Sequence, residues 1–332
     1  MRSTEVLVKW PLWQIRSETW TFEERVKLSY QRLRTLVQHF GIASDDIKYF
    51  SPKYWDMAVY TLLMIHFNLC TGTILKFAPG RPDLQEIVER LLRLKLSGHF
   101  CLAELGHGLD VINMETTATL LQDGSFELHT PVAMAANGKD RGARPFLVQL
   151  SDGTQMCPGV VCKVQTPLDE HLRLLFRLTL QLKRPENARD LFFFNISRVA
   201  TGALCIASTV VNAVKISSYI AGGTQYIPVL TGIAQGLVAD ALKDDVYRIF
   251  IEADLKDLTY RNFLAAVLKL INTKFAVTVP VILGDRCGVQ GLFEVNRFVP
   301  MNADSRAAQI AEGDVVGTSI RESIHSLSVI SG

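Results

Sequence analysis

The chain has 332 residues, more than one simple core usually holds, so its length favours two or three domains. Hydrophobic residues make up 48% of the chain and charged residues 20%, which supplies material for buried cores and argues against global disorder. The net charge of +2 is close to neutral and gives no reason to expect a nucleic-acid partner.

Patterns for a metal site, for secretion and for a membrane span are weak. The six cysteines include no C-x-x-C pair and have no histidine cluster nearby, so no metal is expected. Charges and Pro11 interrupt the N-terminal segment, unlike a secretory signal. The apolar run MAVYTLLMIHF at 57–67 is too short for a membrane span. We therefore expect an intracellular protein, cytoplasmic or peroxisomal, although the final VISG is not a peroxisomal signal.

The first part of the chain, 1–98, has helical patterns and is predicted to form an N-terminal helical domain. Residues 21–41 open with Thr21 and Glu24, the spacing of a capping box, and continue with apolar residues at helical intervals. Residues 55–70 are apolar on most sides and predict a buried helix. Residues 81–98 predict a third helix that starts near Pro82 and ends at Gly98.

The pattern changes to strands in 99–168, which is predicted to form a small central β domain. METTATLLQDGSFELHTP at 114–131 alternates on both sides of an Asp-Gly turn, which is a hairpin signal. RPFLVQLSDGTQMCPGVVCKV at 144–164 repeats that arrangement. Helical patterns return in 169–332, including a last helix broken at Gly313. Helices, then strands, then helices indicate an α+β fold, mostly α, with a C-terminal helical bundle.

Two motifs, far apart in the sequence, carry the functional signal. AELGHGLDVINMETTAT at 103–119 has a Gly-x-Gly pair, but the pair follows a helix and precedes a strand, so it is not a dinucleotide fingerprint. The second motif is GDRCGVQGLFEVNRF at 284–298, followed by IAEGDVVGTSIR at 310–321. Together these segments resemble the acyl-CoA oxidase and acyl-CoA dehydrogenase superfamily, and the Gly-His-Gly form is closer to the oxidase branch. Against that family the central β domain is shortened, and its expected form is barrel-like.

The resemblance implies a set of site residues. Glu312 would be the catalytic base that removes the α-proton of an acyl-CoA, while Gly313 and Asp314 would lie along the substrate. The family's FAD-binding positions correspond to Ala103, Glu104, Leu105, Gly106, Gly108 and Gln225. The implied activity is α,β-desaturation of an acyl-CoA thioester, with the reduced flavin reoxidised by oxygen.

Departures from the family pattern leave two alternatives open. Ala103 stands where the family has a flavin-binding threonine, and flavin-contacting segments of the β domain and of the bundle are short or missing. One alternative is an acyl-CoA dehydrogenase that passes electrons to a carrier protein. The other is a non-catalytic remnant that acts as a structural or dimerisation module. The small-residue helix at 198–217 and the resemblance both imply a homodimer.

Overall fold

A computed structural model describes residues 10–15, 19–40, 56–102, 114–124, 126–129, 145–152, 155–157, 188–223, 226–252 and 258–320. Within them the chain is mostly helical with one two-stranded sheet, which agrees with the predicted class. These residues form two compact units, one of 10–99 with 196–320 and one of 100–157 with 188–195. The boundaries 1–98, 99–168 and 169–332, and the barrel-like form of the central segment, stay predictions.

Helix α1, Pro11–Gln14, precedes α2, Phe22–Phe40, which begins at the predicted capping box. The Glu24 N–H donates to Thr21 Oγ1 at 3.4 Å, and the Thr21 N–H donates to Glu24 Oε2 at 2.8 Å. Each residue thus accepts a hydrogen bond from the other's backbone N–H at the helix start.

Helix α3, Met57–Leu75, confirms the predicted buried helix and extends beyond it. It is α-helical over Met57–Leu63, π-helical over Met64–Thr71 and α-helical again over Gly72–Leu75. The π segment is buried apart from one residue, and wider turns of this kind occur mostly as short insertions inside α-helices.

The expectation that the apolar run near residue 60 is too short for a membrane is wrong on length. Among the described residues, three helical stretches are long and apolar enough to cross a membrane: Met57–Leu75, Phe194–Ile220 and Thr259–Arg286. The polar residues that end the sequence run, such as Asn68, lie within the continuing helix. Respectively 78%, 72% and 50% of these apolar windows are buried inside the protein, so much of their surface packs against the chain itself.

Helix α4, Pro82–Leu92, starts as predicted but ends before Gly98. Leu94 adopts the left-handed conformation with φ +52°, the Lys95 N–H donates to the Arg90 carbonyl at 2.8 Å, and the Leu94 N–H donates to the Leu91 carbonyl at 2.9 Å. This is a Schellman cap, which normally uses glycine at the left-handed position. A leucine there gives no sequence signal, which is why the predicted end was wrong.

The first predicted hairpin is present in the smaller unit. Strand β1, Thr117–Leu120, pairs antiparallel with β2, Phe126–His129, and Gly124 takes a positive φ of +85° in the turn between them. For the second predicted hairpin the described residues hold one isolated bridge, between Ser151 and Met156.

The remaining long helices are α5, Ala188–Ile220; α6, Tyr226–Glu252; α7, Leu258–Arg286; and α8, Phe298–Ile310. In the larger unit, buried residues from α2, α3, α5, α6, α7 and α8 form one core, among them Leu33, Met64, Phe67, Ile206, Val229, Leu283 and Met301. A second cluster joins α5, α6 and α7. Small residues of α5, including Ala207 and Ala213, are fully buried in these clusters. They therefore allow close helix approach within the chain.

Candidate functional site

The candidate base Glu312 lies in a tight turn that follows α8. We call residues 311–314 the Glu312 turn. Ala311 is extended, Glu312 has φ +58° and Gly313 has φ +107°. The Asp314 carboxylate then accepts hydrogen bonds from the N–H groups of Val316 and Gly317, at 2.9 and 3.1 Å, and starts a helical stretch at 315–320. The predicted break at Gly313 is confirmed.

The backbone of this turn is costly to hold. A left-handed conformation costs a residue other than glycine roughly 1–2 kcal/mol, and such conformations persist only where surrounding contacts enforce them. Glu312 is one of three such residues in the described part of the chain, with Leu94 and Arg297. Contacts around the turn must therefore compensate for the conformation of Glu312.

Lys269 of α7 supplies the main contacts of that kind. Its side chain is buried, and its ammonium donates hydrogen bonds to the carbonyl of Ala311 and, at 2.5 Å, to that of Gly313. These are the residues on either side of Glu312. Hydrogen bonds from a charged donor are about twice as strong as neutral ones, and they offset part of the cost of burying the ammonium.

The Glu312 side chain points at Gly202 on α5. A Cβ atom added to Gly202 would lie 2.4 Å from Glu312 Oε1 and 2.7 Å from its Cδ, distances that real Cβ atoms do not reach. The carboxylate therefore occupies the space that a side chain at Gly202 would fill. Among the described residues, none donates a hydrogen bond to this carboxylate.

Burial dominates the electrostatics of the pair. It raises the pKa of Glu312 to about 8, while the nearby Lys269 ammonium acts in the opposite direction. Glu312 as a whole residue is half-buried, and its carboxylate packs against Gly202; the hydration lost by the charged atoms there raises the pKa. Burial also lowers the pKa of Lys269 to about 8, although the nearby charges of Glu312 and Asp314 act to raise it.

This arrangement can perform general-base chemistry. A carboxylate with a pKa near the working pH, held in place and free of competing donors, can accept a proton from a weakly acidic C–H group. The turn places that carboxylate between α5, α7 and the end of α8. The described structure therefore supplies one carboxylate with a defined position.

Most of the other predicted site residues cannot be placed against Glu312. Ala103, Glu104, Leu105, Gly106, Gly108 and Gln225 lie outside the described residues, as does His107. Gly313 and Asp314 belong to the Glu312 turn, and their assignment to the substrate stays a prediction. Among the described residues, no group of three or more His, Cys, Asp or Glu side chains could hold a metal ion.

The glycines of the second motif have backbone roles. Gly288 has φ +62°, and a Cβ on Gly291 would lie 2.1 Å from the Gly284 carbonyl oxygen. These glycines permit the close turn between α7 and α8. Asp285 is exposed in the last turn of α7.

The sequence did not single out Lys269 or Gly202. Lys269 shares a helix face with Ala265, Leu268 and Asn272, all of which are buried, so helical spacing was the available signal. Asn272 connects α7 to α5, because its Nδ2 donates a hydrogen bond to the Ala207 carbonyl on α5 at 3.0 Å. A lysine on a buried face requires an acceptor or an anion, and Lys269 has two carbonyl acceptors.

No protein-family model and no curated protein sequence matches this chain significantly. Solved structures match nearly all of it. Butyryl-CoA dehydrogenase from Megasphaera elsdenii has a TM-score of 0.64 at 16% identity, covering 93% of this chain and 90% of its own. Acyl-CoA oxidase1 from Yarrowia lipolytica has a TM-score of 0.73 at 17% identity, covering 99% and 61%. Arabidopsis thaliana acyl-CoA oxidase 1 has 0.71 at 16%, covering 99% and 62%.

The chain therefore has the fold that acyl-CoA dehydrogenases and acyl-CoA oxidases share, and the resemblance predicted from the two motifs is confirmed at that level. It spans about three fifths of the length of the two oxidases. At 16–17% identity the likeness concerns the fold, and the activity has to be argued from the site.

Proposed function

We propose that this protein is an FAD-dependent, acyl-CoA oxidase-like enzyme that introduces an α,β double bond into an acyl-CoA thioester. One observation carries the proposal. The Glu312 carboxylate packs closely against Gly202, receives no hydrogen bond from the described residues, and has its pKa raised by burial to about 8. These are the properties of a general base prepared for a C–H acid.

In the proposed reaction, Glu312 accepts the α-proton, the C–H electron pair forms the α,β double bond, and a hydride leaves the β-carbon. When bound, FAD would accept that hydride and would pass two electrons to oxygen, giving hydrogen peroxide. The turn holds the base, and Gly313 keeps the backbone compact where the thioester would pass. By resemblance, Ala103, Glu104, Leu105, Gly106, Gly108 and Gln225 would contact the flavin.

The pH dependence follows from the ionisation of the base. Glu312 can accept a proton only when it is ionised, and its pKa is about 8. Turnover with an acyl-CoA should therefore rise as the pH increases towards about 8. A Glu312→Gln variant should lose almost all turnover at every pH. Full activity of that variant would refute the assignment of the base.

Oxygen as the electron acceptor rests on the Gly106-His107-Gly108 sequence. The alternative is a dehydrogenase that uses a carrier protein. The ratio of peroxide formed to enoyl-CoA formed under air separates the two readily. A ratio near one supports the oxidase, and a ratio near zero, with turnover restored by an artificial electron acceptor, supports the dehydrogenase.

We also propose a homodimer, and the support lies on α6. Ile227, Leu230, Leu237 and Val238 are 59–79% exposed and share one face of this helix, while Val229, Gly232 and Ala239 face the core. An apolar face of this kind favours association with a second copy. Sedimentation of the purified protein should give twice the mass of one chain, and a Leu237→Glu variant should sediment with the mass of a single chain.

A further inference from the structure

We propose that Lys269 is a positioning residue for the base: its ammonium fixes the backbone on both sides of Glu312, aims the carboxylate at Gly202, and provides the counter-charge of the ionised base. The inference rests on the proposed function, because it assigns Lys269 to the same site. It also predicts how Lys269 affects the ionisation of the Glu312 carboxyl group, which can be measured without turnover.

The hydrogen bonds of Lys269 carry the argument. One ammonium donates to two carbonyls, and these belong to the residues immediately before and after Glu312. Fixing both neighbours fixes the Cα position of the residue between them and the direction of its side chain. A contact to one carbonyl would cap α8, but it would leave Glu312 free to rotate.

Lys269 is itself held firmly in the helical frame. It is 1% exposed, and it lies in the middle of α7 between the buried residues Leu268 and Asn272. Asn272 connects α7 to α5 through its hydrogen bond to the Ala207 carbonyl. Gly202, at which the carboxylate points, lies on that same α5 helix. Lys269 therefore attaches the Glu312 turn to α7, and the hydrogen bond of Asn272 holds α7 against α5.

The turn needs such a clamp because its conformation is unfavourable on its own. Glu312 is left-handed, and Gly313 at φ +107° adds a second residue with positive φ. Without the ammonium, the Ala311 and Gly313 carbonyls would lose their donor in a half-buried position, and the turn could relax. A displacement of about 1 Å at a reacting group can lower the rate on the order of 10²-fold.

The charge of Lys269 acts in the same place. Of the described charged groups, Lys269 on α7 and Asp314 in the turn itself act at this site, while α5 contributes the uncharged Gly202. The ammonium favours the ionised form of Glu312, and burial opposes it. Removing the ammonium should therefore make the base harder to ionise, so that its titration moves to higher pH.

The test is the titration of Glu312 followed by infrared difference spectroscopy of its carboxyl stretch. The Glu312→Gln variant assigns the band. In Lys269→Met, which keeps the chain length without charge or donors, the midpoint should rise by about one pH unit or more. Lys274→Met is the matched control, since Lys274 is an exposed lysine on the same helix, and its midpoint should equal that of the wild type.

Lys269→Gln and Lys269→Arg keep the test decisive if the Met variant does not fold. Lys269→Gln keeps a donor without charge and should shift the midpoint upward, whereas Lys269→Arg keeps both and should restore it towards the wild-type value. Turnover gives a second readout. In Lys269→Met, kcat should fall on the order of 10²-fold, with KM nearly unchanged and the pH profile displaced upward.

The outcomes separate the two proposals. An unshifted Glu312 midpoint in both uncharged variants overturns the role of Lys269, even if their thermal stability falls. A shifted midpoint in a protein that binds no FAD and turns over no acyl-CoA supports the clamp and overturns the proposed function. An active wild type with unshifted variants leaves the proposed function standing and overturns the clamp alone.

Discussion

The space beside Gly202 gives the sharpest prediction about the base. In Gly202→Ala the new Cβ would lie 2.4 Å from Glu312 Oε1, 2.7 Å from Cδ and 3.2 Å from Oε2. An ordinary contact needs 3.4–4 Å, so the carboxylate has to retreat by about 1 Å or more. Because α5 is packed on several sides, the side chain of Glu312 is the part that moves.

Such a retreat should lower kcat for an acyl-CoA by about 10²-fold, since near-attack geometry tolerates errors of well under 1 Å. Flavin binding should be unchanged, because no residue assigned to FAD is altered. Stability should change little, since alanine is favoured over glycine in a helix by about 0.5–1 kcal/mol and this gain opposes the clash. Stopped-flow reduction of the flavin by an acyl-CoA measures the rate directly.

Gly236→Ala is the matched control. Gly236 is also a helical glycine, but its added Cβ would approach Lys215 Cγ only to 3.4 Å, an ordinary contact distance. That variant should keep the wild-type rate. Wild-type kinetics in Gly202→Ala, or an equal loss in Gly236→Ala, would refute the placement of the base against α5.

Three further predictions concern stability. Burial lowers the pKa of Lys76 to about 7, so the protein should gain stability as the pH rises from 7 towards 10.5, and Lys76→Met should raise Tm at pH 6 but much less at pH 10. Asp56 pairs with Arg32 at 2.5 Å, with both side chains nearly buried, and it also caps the start of α3. Asp56→Ala should therefore lower the free energy of unfolding in urea by about 3–5 kcal/mol. An unchanged urea midpoint would contradict the pairing. Gly291→Ala places a Cβ against the Gly284 carbonyl oxygen and should greatly lower Tm, while Gly222→Ala, with open space around it, should not.

Local chemistry was readable from the sequence. The Thr21 and Glu24 pair predicted the start of α2 because a capping box involves only neighbouring residues. The hairpin at 114–131 was predicted because its turn needs a glycine at positive φ, and Gly124 provides it. The end of α4 was missed, since Leu94 adopts a conformation for which leucine has no preference.

Contacts between distant segments were not readable. Helical spacing places Lys269 on an apolar face but does not identify the Gly313 carbonyl that it contacts, and Gly202 looks like a helix-packing glycine until the Glu312 carboxylate fills its space. Glu312 itself was found by motif resemblance, because no local pattern distinguishes a buried glutamate before glycine from an exposed one. Pairings of residues far apart in sequence depend on the packed fold, which a local pattern does not encode.

The most direct test of the central claim is an anaerobic titration of the purified, FAD-supplemented protein with straight-chain acyl-CoA thioesters. We expect stoichiometric FAD binding, loss of the flavin absorbance on adding one of these thioesters, and formation of the matching 2-enoyl-CoA. The Glu312→Gln protein should bind FAD equally well and keep its flavin absorbance. Absence of FAD binding, or flavin reduction in the Glu312→Gln protein as fast as in the wild type, would contradict the proposed function.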